Sequence, residues 1–324
     1  MNRRILTWYR WQSFRALETF RMNSMKTIAA LLIFVSAPLA PASLPAQDKK
    51  EVNLAAAPPK IALFEHKQPY AGKSEERRKL EETISAACDR LETPRYWIDL
   101  ESLSGEPEAL VFSPFESYED MEQSNFDWAQ FLAGHADLQK MAEETKGLVG
   151  GERKIIAVRR DDLGYLTDTI DLSEARFLHV LEVRLFPGRE NDFADAFKIL
   201  AEANAKVQGE TPWVVYEVDA GLPAPTFLVL SPMAELKQRD DLLALAGSLS
   251  DAQGESGETV KKIARESYAS TENTVYVINP GMSHVSKAFA ATDLGFWMHR
   301  NSEAKPEARP EPKPDAKPKP KPAN

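Results

Sequence analysis

The sequence predicts an α+β protein made of two tandem β-α-β-β-α-β units, and three observations predict it. Thr93-Pro94 returns as Thr211-Pro212, and Ser113-Pro114 as Ser231-Pro232, both at one constant offset. Gly72 ahead of a helical run is matched by Gly188 ahead of another. The apolar pair Ile155-Ile156 near the end of the first stretch is matched by the run Val275 to Ile278 near the end of the second. The chain therefore divides into an N-terminal extension with a signal peptide (1–47), a linker (48–60), repeat one (61–160), a linker (161–176), repeat two (177–283), a C-terminal extension (284–302) and a tail (303–324).

Repeat two shows the elements most clearly. Phe177 to Phe186 alternates between an apolar face (Phe177, Leu181, Val183, Leu185) and a mixed one (Leu178, Val180, Glu182, Arg184), the pattern of a half-buried strand. Pro187-Gly188 ends it, and Phe193, Phe197, Leu200 and Val207 then recur at helical spacing. Trp213 to Asp219 alternates again, and a Gly- and Pro-rich turn leads to the strand Thr226 to Leu230. A helical region past Leu236, Leu242 and Leu245 breaks near Gly254, resumes at Val260, and gives way to a last strand at Thr274 to Asn279. Repeat one follows the same order: Ile61 to Gln68, a helix carrying Leu80, Ile84, Ala87 and Leu91, then Tyr96 to Leu100, Ala109 to Ser113, helical stretches around Tyr118 and from Leu138, and Ile155 to Val158. Ser113-Pro114-Phe115-Glu116 reads as a capping box with proline at the first helical position, so a helix is expected to begin there. The order is the ferredoxin-like arrangement.

Composition bounds the function. A net charge of -9 without a basic stripe argues against a nucleic-acid partner. Met25-Lys26, the short apolar run to Ala40 and the small residues that follow form a secretory-signal pattern, with cleavage expected after Ala42 or Ala46. The run is shorter than the roughly 20 residues a membrane helix needs, so no stable span is expected after processing, and a periplasmic or secreted location follows. The Arg- and aromatic-rich residues ahead of Met22 leave a membrane-surface role open. Cys88 is the only cysteine, which excludes an internal disulfide, and its place among Ala86 and Ala87 reads as a small buried thiol. The closing Pro-Lys alternation is a solvated polyproline spacer, with contact to an acidic cell-envelope polymer as the alternative.

Two such units, the Phe186-Pro187-Gly188-Arg189-Glu190 turn and the broken second helical region resemble the dimeric α/β-barrel superfamily, which includes antibiotic-biosynthesis monooxygenase-like and stress-responsive barrel proteins. The resemblance covers about Ile61 to Ser283. It implies two four-stranded sheets packed face to face, here supplied by one chain, with the helices outside.

On that arrangement the mixed strand faces are expected to turn into the barrel. They bring the ligand-binding candidates His66, Trp97, Asp99, Glu182, Arg184, Trp213 and Glu217, with Gln68 and Arg95 beside them. Asp99 and Glu217 hold matching places, and paired buried carboxylates can do acid-base work; a salt bridge to Arg95 or Arg184 is the structural reading of the same residues. Trp97 and Trp213 could stack on a flat ligand, as against ordinary packing. The five histidines show no ligand spacing, so neither a metal nor a cofactor is expected. No phosphate loop, Gly-x-Ser-x-Gly elbow or Cys-x-x-Cys pair occurs. Two functions remain: an exported barrel binding a small organic ligand or a partner without catalysis, and, through the resemblance, a cofactor-independent monooxygenase-like enzyme.

Overall fold

Two nine-residue strands each run out to a positive-φ glycine: β1 (Ile61–Pro69) before Gly72 at φ 77°, and β5 (Phe177–Leu185) before Gly188 at φ 81°. A computed structural model describes residues 56–298, residue 94 excepted. The predicted signal segment, the Pro-Lys tail and His299 lie outside the described residues. After β1 come α1 (Ser74–Arg90), β2 (Trp97–Ser102), β3 (Ala109–Phe115), α2 (Tyr118–Ala133), α3 (Ala136–Lys146) and β4 (Val149–Arg159). After β5 come α4 (Glu190–Lys206), β6 (Val214–Ala220), β7 (Thr226–Met233), α5 (Lys237–Gln253), α6 (Glu255–Ser267) and β8 (Tyr268–His284). Two short helices, α7 (Lys287–Ala290) and α8 (Leu294–Trp297), follow.

All eight strands close into one antiparallel barrel in the order β1-β3-β2-β8-β5-β7-β6-β4. The halves join twice, where β2 meets β8 (Leu100 opposite Ile278) and where β4 meets β6 (Val158 opposite Glu217). Closure leaves no sheet edge unpaired. The barrel interior is a packed apolar core that includes Phe64, Leu100, Phe112, Tyr216, Leu228 and Tyr276. Phe289 and Trp297 of the C-terminal helices join that core, and Trp297 Nε1 donates to the Ser173 carbonyl at 2.9 Å. Among the described residues no helix is long and apolar enough to cross a membrane.

Two expectations are corrected here. The helix predicted at Ser113-Pro114 starts later, because Ser113 and Pro114 belong to β3, paired with Leu63 and Ala62 of β1, while Ser117 caps α2 by accepting from Asp120 N at 3.1 Å. Ser231-Pro232 likewise lies within β7. Ladder pairing, a long-range interaction, overrides the local signal. The second correction concerns strand faces. His66 and Glu182 do share the inner faces of β1 and β5, but on β2 and β6 the inner residues are Ile98, Leu100, Val214, Tyr216 and Val218. Trp97, Asp99, Trp213 and Glu217 therefore stand on the outer, helix-covered face. A closed, tightly packed interior selects the apolar faces of β2 and β6, and the outer face can keep charge beside a solvent-reachable space.

Candidate functional site

The outer face of β4-β1-β3-β2 forms a grid whose rows are set by the ladders. One row reads Glu152, Lys67, Ala109, Glu101, and the next reads Lys154, Glu65, Val111, Asp99. Small residues occupy the β3 column, so the middle of the sheet is recessed. Above it lies a cavity of about 530 Å³. Helix α1 supplies Glu81 and Ile84, α2 supplies Met121, Asn125 and Trp128, and α3 supplies Ala142, Thr145 and Lys146. Trp97 and Trp128 meet edge to face at 6.2 Å, and Trp97 Nε1 donates to the Met282 carbonyl at 2.8 Å. Arg95 donates to Asn125 Oδ1 at 3.1 Å, lies 3.6 Å from Glu65 and sits 5.8 Å from the Trp128 ring centroid, tying α2 to the floor.

Asp99 is buried on that floor, at 1% exposure, and its Oδ1 has no hydrogen-bond partner among the described residues. Burial raises its proton affinity well above the ordinary carboxyl range, and Glu81 raises it further, while Arg77 and Lys67 oppose the shift. Lys67 Nζ donates to Glu81 Oε1 at 3.2 Å. Burial disfavours its charge, but Glu81, Asp99 and Glu65 outweigh that and hold its pKa above the usual value. Arg77, wholly buried, donates to Glu81 and, at 3.4 Å, to Glu101.

The other half carries a control for this network. Arg77 and Glu81 are the fourth and eighth residues of α1; the fourth and eighth of α4 are Phe193 and Phe197, rings 4.4 Å apart. The rows Val183, Phe227, Glu217 and Leu181, Val229, Val215 stand where Lys67, Ala109, Glu101 and Glu65, Val111, Asp99 stand in the first half. Phe193 stacks on Phe227 at 4.3 Å, and the space is filled by an aromatic and aliphatic core. The positions of Lys67, Glu65, Asp99, Arg77 and Glu81 are charged in one half and apolar in the other, while Glu101 and Glu217 are charged in both.

The sequence-predicted candidates thus separate. Asp99 and Trp97 line the cavity. Glu217 does not meet Asp99; it pairs with Arg160 at 2.7 Å, and the ladders match Asp99 with Val215, a shift of two residues from the expected equivalence. Trp213 packs in the second-half core, stacked on Tyr165 at 4.9 Å and donating from Nε1 to the Leu163 carbonyl at 3.0 Å. His66 and Glu182 lie at the polar end of the barrel interior, where His66 Nδ1 is 3.2 Å from Glu108 Oε2 and Glu108 accepts from the Tyr276 hydroxyl. Burial raises the proton affinity of Glu182, and Arg153 opposes the shift. Arg184 is exposed. Sequence reasoning missed Lys67, Arg77 and Glu81, although their contrast with Val183, Phe193 and Phe197 was present between the two matched stretches of sequence.

The class these features define is a closed eight-stranded α+β barrel with a charged-floored cavity between one sheet and its helices. No protein-family model matches the sequence, and no curated protein matches it. Solved structures with a similar fold include an anthrone oxidase-like protein (13% identity, 70% of this chain and 94% of that one covered, TM-score 0.46). A protein assigned as a monooxygenase from Lactobacillus acidophilus NCFM is similar at 10% identity, with 67% and 93% covered and a TM-score of 0.42. A heme-binding protein from Thermus thermophilus is similar at 10% identity, with 67% and 90% covered and a TM-score of 0.36. At such identities the likeness is one of fold. The cavity lining contains no histidine or cysteine, the side chains that most often hold a heme iron, so its donor set does not fit that group. Among the described residues no group of three or more His, Cys, Asp and Glu could hold a metal ion.

Proposed function

We propose that this protein is a small-molecule enzyme in which Asp99 exchanges a proton with an organic substrate seated over Val111 and Ser113. The observation that carries the reading is the buried Asp99 carboxyl, whose Oδ1 lacks a partner at the floor of a cavity of about 530 Å³. An acid whose proton affinity burial has raised is a stronger base once ionised, and burial tunes carboxyl groups toward this task. A cofactor-independent, monooxygenase-like reaction, beginning with removal of a substrate proton, is the class this arrangement serves. On this reading the two halves are copies of one ferredoxin-like unit of the dimeric α/β-barrel type. The first copy keeps a site that the second has filled with Phe193, Phe197 and Phe227.

The test uses 2-tetralone, a fused-ring ketone with acidic C–H groups, in deuterated buffer. The protein is expected to speed deuterium incorporation at the α-carbon, and Asp99→Asn to lose about 10²-fold or more of that acceleration. Val111→Phe, which fills the floor, should abolish it. Exchange unchanged in Asp99→Asn refutes the role of Asp99; binding of the ketone without exchange returns the protein to the non-catalytic binding reading.

Export and an envelope contact by the tail are further proposals, supported by the segment from Met25 to Ala46 and by the Pro-Lys alternation. Determination of the N-terminus of protein recovered from cells tests the first. A chain that still begins at Met1 refutes it.

A further inference from the structure

The cavity floor holds one half-buried and one buried hydrogen-bonding group with unused capacity. Lys67 has three N–H donors and, among the described residues, one hydrogen-bond partner, Glu81. Asp99 Oδ1 has none. Both side chains line the cavity, from adjacent rows on either side of the β3 column. We infer that the ligand carries one anionic oxygen group, a carboxylate or an enolate, which seats between the Lys67 ammonium and the Asp99 carboxyl. The inference rests on the cavity reading above and adds the charge class of what the cavity takes.

The neighbouring charges support it. Arg95 and Lys154 face Glu65, Lys154 also faces Glu152, and Lys146 is held by Glu143 outside the lining. Lys67 is the lining cation with open donors, and burial holds the proton of Asp99 above the ordinary carboxyl range. An anionic oxygen would accept from Lys67 and from the Asp99 hydroxyl, meeting both open capacities without moving the Glu81 pair. A neutral ligand leaves the ammonium as it is. A cationic one would be repelled by it.

The comparison with β5 also says what Lys67 is not needed for. Its counterpart in the ladder is Val183, wholly buried in the second-half core. A valine at this grid position is compatible with the fold, so Lys67→Val is a usable test.

The experiment titrates 2-naphthoate and its uncharged analogue 2-naphthamide into the full chain by calorimetry. The carboxylate is expected to bind about tenfold tighter or better, the scale of one charge-assisted hydrogen bond. Lys67→Val should bring the two affinities within about threefold, and Lys67→Arg should retain the preference. Equal affinities in the unaltered protein overturn the inference, as does a preference that survives in Lys67→Val. Should Lys67→Val fail to fold, Lys67→Met replaces it with the same two outcomes. Binding of the amide with no anion preference overturns this inference alone, whereas no binding of either probe overturns the cavity reading as well.

Discussion

The buried Arg77–Glu81 pair offers a test of why the first half keeps charge where the second does not. Arg77 and Glu81 side chains are 1% and 8% exposed, so solvent screens their interaction little. Removing one partner strands the other, at a cost of about 3–5 kcal/mol, a large share of the roughly 5–15 kcal/mol that holds a typical domain folded. Arg77→Phe and Glu81→Phe should each lose that much. With all four corners made in a Lys67→Val background, which removes the other partner of Glu81 and matches Val183, the double variant reproduces the Phe193–Phe197 pair of α4, and replacing a buried ion pair by packed apolar groups is neutral or stabilising by about 1–4 kcal/mol. The two single losses sum to about 6–10 kcal/mol, so the double-mutant cycle should return a coupling of at least about 6 kcal/mol. Guanidinium unfolding with linear extrapolation measures all four corners. Losses in the double variant equal to the sum of the singles would refute the view that the second-half apolar set fits the first-half frame. Tetralone exchange should vanish in the double variant even where stability returns.

Three further outcomes follow from the same geometry. Asp99 binds its proton more tightly folded than unfolded, so its contribution is fully present below an unfolded carboxyl pKa of about 3.9 and is lost as pH rises through the raised folded value. Urea unfolding across pH should therefore show Asp99→Asn gaining on the unaltered protein above about pH 4, by up to about 1.4 kcal/mol per pH unit; parallel curves would contradict the burial effect. Trp213→Ala should cost about 3–5 kcal/mol in denaturant without changing cavity ligand affinity, because Trp213 packs in the opposite half; a loss of ligand affinity at full stability would reverse that assignment. Ser117→Ala should cost about 1 kcal/mol through loss of the α2 cap, measured by thermal unfolding, and an unchanged melting temperature would count against Ser117 as the cap.

Strand and helix order was readable because it depends on local periodicity: the β1 and β5 patterns, the glycines at 72 and 188, and the break at Gly254 all correspond to elements of the structure. Boundaries set by long-range pairing were less readable. Ser113-Pro114 has the local grammar of a helix start, and β1 claims it as strand. The site was readable only in part. Asp99 and Trp97 were candidates, but the rule that mixed faces turn inward placed them in the barrel with Glu217, when the barrel takes the apolar faces of β2 and β6.

By itself, the sequence determined the α+β class, the alternation of its strands and the residue types available for acid-base chemistry, since these rest on spacings along one chain. Tertiary structure decided which face of each strand is dry, that Asp99 lies opposite Val111 with Lys67 and Glu81 for neighbours, and that a cavity lies over the first-half sheet where Phe193 and Phe227 stack in the second. Those outcomes depend on closure of the barrel and on side-chain volume in three dimensions. Ala109 in one half and Phe227 in the other look like a minor difference until the ladders place each beneath its helix.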